Sequence, residues 1–407
     1  MLHKKINLYY YQVILLFIIC PLLSLPCIIY YASHQKKWAY TLLAVFMGLC
    51  AMLWPPTGDL YRHNMMYFDF QNMTLINFLD FIKLKLDFLL YTISYIFAKI
   101  GIPFEFIRFI FIFISYKLIF NIYEDICKNI EANNQIIKTI FFIFYLSVMF
   151  FVIVEGLRFG LAAILLAYGS YQYFAKHNRK GTIYIFLSCI THFSVIPIVL
   201  IIILIKIGLK INRALVIILS AACLICCNPT VFQAIIDILP IDSTTHAALT
   251  AYITGYWGGD FLEDHSIKYL ISKYLGHITI YPLIYLVLSQ KNKSKYQQLA
   301  NILIICTCAC FAISDTLYFR IAILFIPIGL SLYFVKSKSY KISTTFILLF
   351  CSLISFGSQI YTYRRESTLS REYLLVCPAP IALCNVFTEQ WINQHVYEDG
   401  AGKSLNY

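Results

Sequence analysis

TLYFRIAILFIPIGLSLYFV, residues 316–335, runs for 20 residues with a single charge, Arg320. At a rise of about 1.5 Å per residue this is a rod of about 30 Å, the thickness of a bilayer's hydrocarbon core. A surface helix of a soluble protein would show a polar face at helical spacing, and this one shows none. The stretch reads as a transmembrane helix. Working outward, similar apolar blocks recur at 11–32, 38–55, 86–100, 104–122, 136–154, 157–175, 182–205, 213–229, 268–288, 297–314 and 342–361. Over the 407 residues 60% are hydrophobic and 13% are charged, against about 25% charged in a soluble domain. The expected fold is all-α, a polytopic transmembrane helix bundle of about 10–12 spans. It occupies residues 1–361 with outer loops at 56–85 and 230–267, and an extracytoplasmic tail follows at 362–407.

The formal net charge is +12, but the cations sit in short clusters between apolar blocks, without the basic stripe that would bind nucleic acid. The positive-inside rule makes those clusters cytoplasmic turns: Lys176, Arg179 and Lys180; Lys206, Lys210 and Arg213; Lys291, Lys293 and Lys295; Lys336, Lys338 and Lys341. The acidic loop 230–267, with Asp237, Asp242, Asp260, Glu263 and Asp264, belongs outside. Lys4–Lys5 and Lys36–Lys37 compete for the inside, and the long run after Lys5 reads as a retained first span rather than a signal peptide. Block 182–205 has basic turns on both sides. Either two half-helices turn near His192 and Pro197, or one turn breaks the charge rule. Block 86–100, flanked by Lys83, Lys85 and Asp87, suggests a short or interfacial helix.

Most of the 14 cysteines lie inside apolar blocks, where thiols act as small hydrophobes. Cys377 and Cys384 stand in the tail, where an oxidising compartment would permit a disulfide.

Only nine of the 32 basic residues are arginine, so each one beside an apolar block is informative. Arg158 opens the span 157–175 within Glu155-Gly156-Leu157-Arg158-Phe159-Gly160, and Arg320 lies one turn after Asp315. A charge in the bilayer costs about 2.5–3.5 kcal/mol and usually faces a cavity or partner. Arg158 reads either as a snorkelling anchor paired with Glu155, or as a fork for phosphate. His192, in an apolar stretch, reads as a structural histidine or as a general base. Asp59, Arg62 and His63 follow a proline turn at the outer membrane edge. In the later outer loop Tyr256, Trp257 and Asp260 could meet sugar faces and hydroxyls, although an interfacial aromatic belt has the same composition. Neither a glycine-rich phosphate loop nor a nucleophile elbow is present.

At Glu155–Ala162 and Thr191–Ile196 the sequence resembles the EpsG family, a branch of the Wzy-like polymerases of O-antigen and capsular polysaccharide. Arg158, Gly160, Leu161 and Ala162 match an Arg-Gln-Gly-Leu-Ala-like stretch, with Phe159 in place of glutamine. His192 and Ser194 match a Phe-His-x-Ser-Ala-like stretch, and Thr57-Gly58-Asp59 with Tyr61 or Tyr67 resembles a Gly-x-Asp…Tyr pattern. The resemblance implies a multi-pass protein of the bacterial cytoplasmic (inner) membrane that builds lipopolysaccharide, capsule or exopolysaccharide. It would be a metal-independent glycosyltransferase joining repeat units linked to polyprenyl (undecaprenyl) pyrophosphate at the extracytoplasmic face. Arg158 and Arg320 would hold the pyrophosphate, and His192 or Asp59 would take the acceptor proton. Glu155, Tyr256, Trp257 and Asp260 would touch sugar. No cofactor is needed. The partners are the lipid-linked oligosaccharide, the bilayer and a chain-length regulator, with no nucleic acid. A lipid-linked oligosaccharide flippase and a glycan ligase remain alternatives.

Overall fold

The computed structural model describes every residue except 1, 84, 131, 241–242, 255–273, 291–293, 337–341, 398–402 and 404–407. The chain is all-α, as the apolar blocks predict. The first half consists of α1 (Leu2–Ile19), α2 (Pro21–Ser33), α3 (Lys37–Leu53), α4 (Asp59–Asn72), α5 (Leu75–Lys83), α6 (Leu89–Ile100), α7 (Phe104–Asn129), α8 (Asn134–Ser147), α9 (Phe150–Glu155) and α10 (Leu157–Ser170). Then come α11 (Gly181–Thr191), α12 (Ile196–Ile207), α13 (Arg213–Cys226), α14 (Pro229–Ile238), α15 (Ser243–Ile253), α16 (Ile280–Ser289), α17 (Lys295–Ile313), α18 (Asp315–Lys336) and α19 (Ile342–Thr362). The tail supplies α20 (Arg364–Leu369), α21 (Ala379–Leu383) and α22 (Glu389–His395).

Helices α7, α17, α18 and α19 are each long and apolar enough to cross a bilayer alone, and the pair α13–α14, bent by 89°, makes a fifth candidate. Several other apolar blocks are interrupted, so uninterrupted spans are fewer than the block count suggests. The breaks have local causes. Pro21 starts α2 and divides block 11–32 at Cys20. Asn228 caps the N–H of Val231 with Pro229 at the first turn, which starts a new helix at the bend. Block 86–100 yields the twelve-residue α6, short as its charged flank implied.

The core forms around α3, α7, α10 and α18, which pack on one another. Helix α11 lies against α10 at a crossing without side chains. A Cβ on Gly181 would stand 2.5 Å from the Gly169 carbonyl oxygen. The two backbones touch there, which fixes the height of α11 along α10.

The bundle has two distinguishable ends. At one, Lys37 pairs with Glu124 at 2.7 Å, Lys128 with Glu124 at 2.9 Å and Lys176 with Asp125 at 3.9 Å. Arg179, Lys206 and Lys295 line one cavity at this same end. The basic turns on either side of block 182–205 therefore meet, and the block folds as a hairpin. Its arms α11 and α12, 11 and 12 residues long, join through an extended His192 and a short 3₁₀ turn. Both basic turns obey the charge rule because the block does not make a simple crossing.

At the other end the tail folds back as an ordered cap. Arg371 donates its backbone N–H to Leu53 O at 2.9 Å, and its guanidinium stacks on Phe387 at 4.3 Å. The Phe387 N–H donates to Glu105 Oε1 at 3.0 Å. Glu105 in turn pairs at 3.2 Å with Arg108, which is fully buried and donates to Trp54 O at 2.6 Å and Met52 O at 3.1 Å. Cys377 and Cys384 flank α21 with free thiols, so the disulfide is not formed.

Candidate functional site

Glu155 and Arg158 stand at a break in one helix. Helix α9 ends at Glu155, Gly156 leaves helical geometry with ψ 50°, and α10 restarts at Leu157. Arg158 thus occupies the first turn of α10, on the capped end of the bundle. Its guanidinium is anchored, not snorkelling: Nη1 donates to Asp87 Oδ2 at 2.9 Å and to the Tyr91 hydroxyl at 2.7 Å. The tyrosine ring also lies 5.2 Å from the guanidinium carbon. Both bonds run to Nη1, so among the described residues one edge of the fork is held by hydrogen bonds and Nη2 makes none.

Glu155 does not pair with Arg158. It accepts a hydrogen bond from the Thr57 hydroxyl at 3.2 Å. Gly58 has φ +56°, and a Cβ there would come within 3.4 Å of Glu155 Oε2, so glycine suits both the turn and the approach. Burial pushes the Glu155 carboxyl up to about 8, with Glu366 of the tail and then Asp59 adding to the rise against the Thr57 hydrogen bond. Glu155 is mostly a neutral acid at pH 7.

The ring of Phe159 is shared. His192 meets it edge-on at 5.6 Å, and the Arg320 guanidinium carbon lies 5.4 Å from its centroid. Arg158, Arg320 and His63 are all electrostatic neighbours of His192. The hairpin turn brings His192 to the height of Phe159. The imidazole is held from behind, because Nδ1 accepts from the Ser194 N–H at 3.2 Å and lies 2.8 Å from the Ser194 hydroxyl. An N–H donor fixes Nδ1 as the acceptor, so the neutral ring carries its proton on Nε2.

Asp59 opens α4 and pairs with Arg62 at 3.4 Å. It is an electrostatic neighbour of both Tyr91 and Glu155. His63, one turn on, is buried with its ring 6.3 Å from that of Tyr91. Burial, followed by the charges of Arg158 and Arg62, pushes its imidazole down to about 3, so it is neutral at physiological pH.

The structure therefore gathers Asp59, Glu155, Arg158, His192 and Arg320 at one end. Tyr256, Trp257 and Asp260 lie outside the described residues. The reading of single blocks missed Asp87 and Tyr91, which grip Arg158 from 71 and 67 residues away. The one available hint was a carboxylate at the start of the short block 86–100. It also missed Glu366, which the tail brings beside Glu155.

No curated protein and no solved structure gives a match. The EpsG family model matches residues 36–373, most of the chain and all of the site just described. Members of that family are Wzy-type polymerases, which places this multi-pass membrane protein in polysaccharide biosynthesis. The chain belongs to the EpsG family.

Proposed function

We propose that the protein is a polysaccharide polymerase of the bacterial cytoplasmic membrane, joining oligosaccharide repeats carried on polyprenyl pyrophosphate. The observation that carries the reading is the arrangement about Phe159. The Arg320 guanidinium and the His192 imidazole meet that ring, and Arg158 is an electrostatic neighbour of His192, at the end of the bundle opposite the basic turns. By the positive-inside rule that end faces away from the cytoplasm. A lipid pyrophosphate offers a matching set of parts: a tail in the bilayer, charge at its surface and sugars beyond.

In this reading the growing chain's anomeric carbon is attacked by a hydroxyl oxygen of the incoming repeat. The new glycosidic bond forms as the bond to the pyrophosphate oxygen breaks, and polyprenyl pyrophosphate leaves with the electron pair. Arg158 and Arg320 bind the pyrophosphate and stabilise the charge gathering on it. Removing one such donor typically costs about 2.7–4 kcal/mol, or a hundred- to a thousandfold in rate. Asp87 and Tyr91 hold Arg158 in place, so its fork is not reorganised during the reaction.

The Ser194 N–H on Nδ1 supports a role for His192 other than the general base that the sequence suggests. With Nδ1 engaged by Ser194, Nε2–H is a donor, suited to a phosphate oxygen. Asp59 then takes the acceptor hydroxyl's proton. Glu155, neutral at pH 7, can both donate to and accept from a sugar hydroxyl without repelling the pyrophosphate.

The test is incubation of the purified full-length protein with lipid-pyrophosphate-linked repeats. A ladder of lipid-linked oligomers is expected. Transfer of whole glycans only to a second acceptor class would make it a ligase. Movement of repeats across liposomes without joining would make it a flippase.

A further inference from the structure

The second feature built for an anion lies at the opposite end, remote from Phe159. A cavity of about 550 Å³ opens between the turn after α10, the end of α12, the start of α17 and the end of α18. Its walls include Arg179, Lys206 and Lys295, with His177 beside them, and no carboxylate is among the described residues that line it. Deeper in, Phe174, Leu332 and Val335 make the lining apolar. Cations at the rim and an oily interior suit one molecule with an anionic head and a hydrocarbon body.

The rim is ordered by its own hydrogen bonds. Helix α10 widens into a π turn over Tyr171–Ala175, a geometry frequent at functional sites. The following turn is pinned where Asn178 N–H donates to Gln172 O at 2.8 Å and Lys180 N–H to Asn178 Oδ1 at 3.0 Å. His177 between them takes φ +54°, a left-handed conformation that a non-glycine residue adopts at a cost. Lys295 Nζ donates to Lys206 O at 3.0 Å, and Ile211 N–H donates to Gln298 Oε1 at 2.7 Å, tying the α12 turn to α17. Lys206 lies 5.8 Å from the centroid of the Tyr173 ring. Below, the Tyr296 hydroxyl meets Ser331 Oγ at 2.6 Å and closes the floor.

We infer that this cavity binds a phosphate-bearing anionic lipid of the leaflet opposite the polymerisation site, its headgroup on Arg179, Lys206 and Lys295 and its chain against Phe174, Leu332 and Val335. Like charges sharing a hollow at a membrane surface repel one another unless an anion lies between them, and basic pockets between spanning helices are where anionic headgroups settle. The site is independent of the polymerase reading, since it shares no residue with the cluster around Phe159.

The test measures thermal unfolding of the full-length protein, purified in a neutral detergent, with dioleoyl phosphatidylglycerol, dioleoyl phosphatidylcholine or inorganic phosphate added. Phosphatidylglycerol at about a hundredfold excess over its Kd should raise the midpoint by at least about 3 °C over phosphatidylcholine. The shift should vanish in Arg179→Gln/Lys206→Gln/Lys295→Gln. Arg179→Gln alone, at an exposed position, should weaken it and guards against a folding defect in the triple variant. Equal midpoints with the two lipids, or a phosphatidylglycerol shift that survives both variants, would overturn the site. An equal shift from millimolar inorganic phosphate would overturn the lipid assignment in favour of a soluble phosphate ligand.

Discussion

Replacing Glu105 with alanine should loosen the C-terminal cap and destabilise the whole bundle. Arg108 is fully buried, and Glu105, 1% exposed, is its carboxylate partner at 3.2 Å. Breaking a buried pair by removing one member commonly costs about 3–5 kcal/mol, because the remaining charge stays behind uncompensated. Here Trp54 O and Met52 O keep two hydrogen bonds to the guanidinium, which puts the electrostatic loss toward the lower figure. The Phe387 N–H loses its acceptor as well, adding about 1 kcal/mol. The sum is about 4 kcal/mol. Glu105→Gln preserves an acceptor for Phe387 and most of the packing, so it should lose roughly half as much. The assay is thermal unfolding in detergent beside limited proteolysis of the native protein. Glu105→Ala should expose cleavage sites between 371 and 397 well below its unfolding temperature. An unchanged midpoint with an equally resistant tail would refute the argument that this pair fastens the cap.

Gly181→Ala tests how His192 is positioned: its new methyl would sit 2.5 Å from the Gly169 carbonyl. Helix α11 must move off α10, at about 1–3 kcal/mol, and polymer formation should fall by more than the amount of folded protein does. Glu155 gives a pH prediction with a definite sign. Its folded value of about 8 lies above the ordinary 4.5, so its contribution to stability is complete below about 4.5 and disappears as pH rises through 8. The melting midpoint should therefore decline over that interval and decline less in Glu155→Gln. His63 acts at the acid end: with a folded value near 3 against an ordinary 6.5, it withdraws stability as pH falls below 6.5, and His63→Gln should soften that acid loss.

The apolar blocks foretold the helical bundle because lipid leaves the backbone few other ways to satisfy its hydrogen bonds. Blocks 316–335 and 342–361 correspond closely to α18 and α19. Where a block is broken, composition carries less: Cys20–Pro21 and Val148–Met149 interrupt runs whose hydropathy does not change. Block 182–205 was the informative exception, since basic turns on both flanks conflict with a simple crossing and point to the hairpin that presents His192. Arg158, Arg320 and His192 stood out because polar groups in lipid are costly. Their partners did not. Asp87 and Tyr91 reach Arg158 from another helix, and no local spacing encodes that meeting. Arg108 carried a legible sign, a glutamate three residues before it inside an apolar block, but its bond to the tail depends on how residues 371–387 fold back.

In the proposed mechanism Arg158, fixed by Asp87 and Tyr91, grips a pyrophosphate leaving group. The most direct test is the turnover of purified Arg158→Ala on lipid-pyrophosphate-linked repeats, compared with the unaltered protein at equal folded concentration. The rate should be at least about a hundredfold lower, with single unjoined repeats remaining, and Arg158→Lys, which keeps the charge but not the fork, should rescue it incompletely. A ladder of normal length and rate from Arg158→Ala would contradict it.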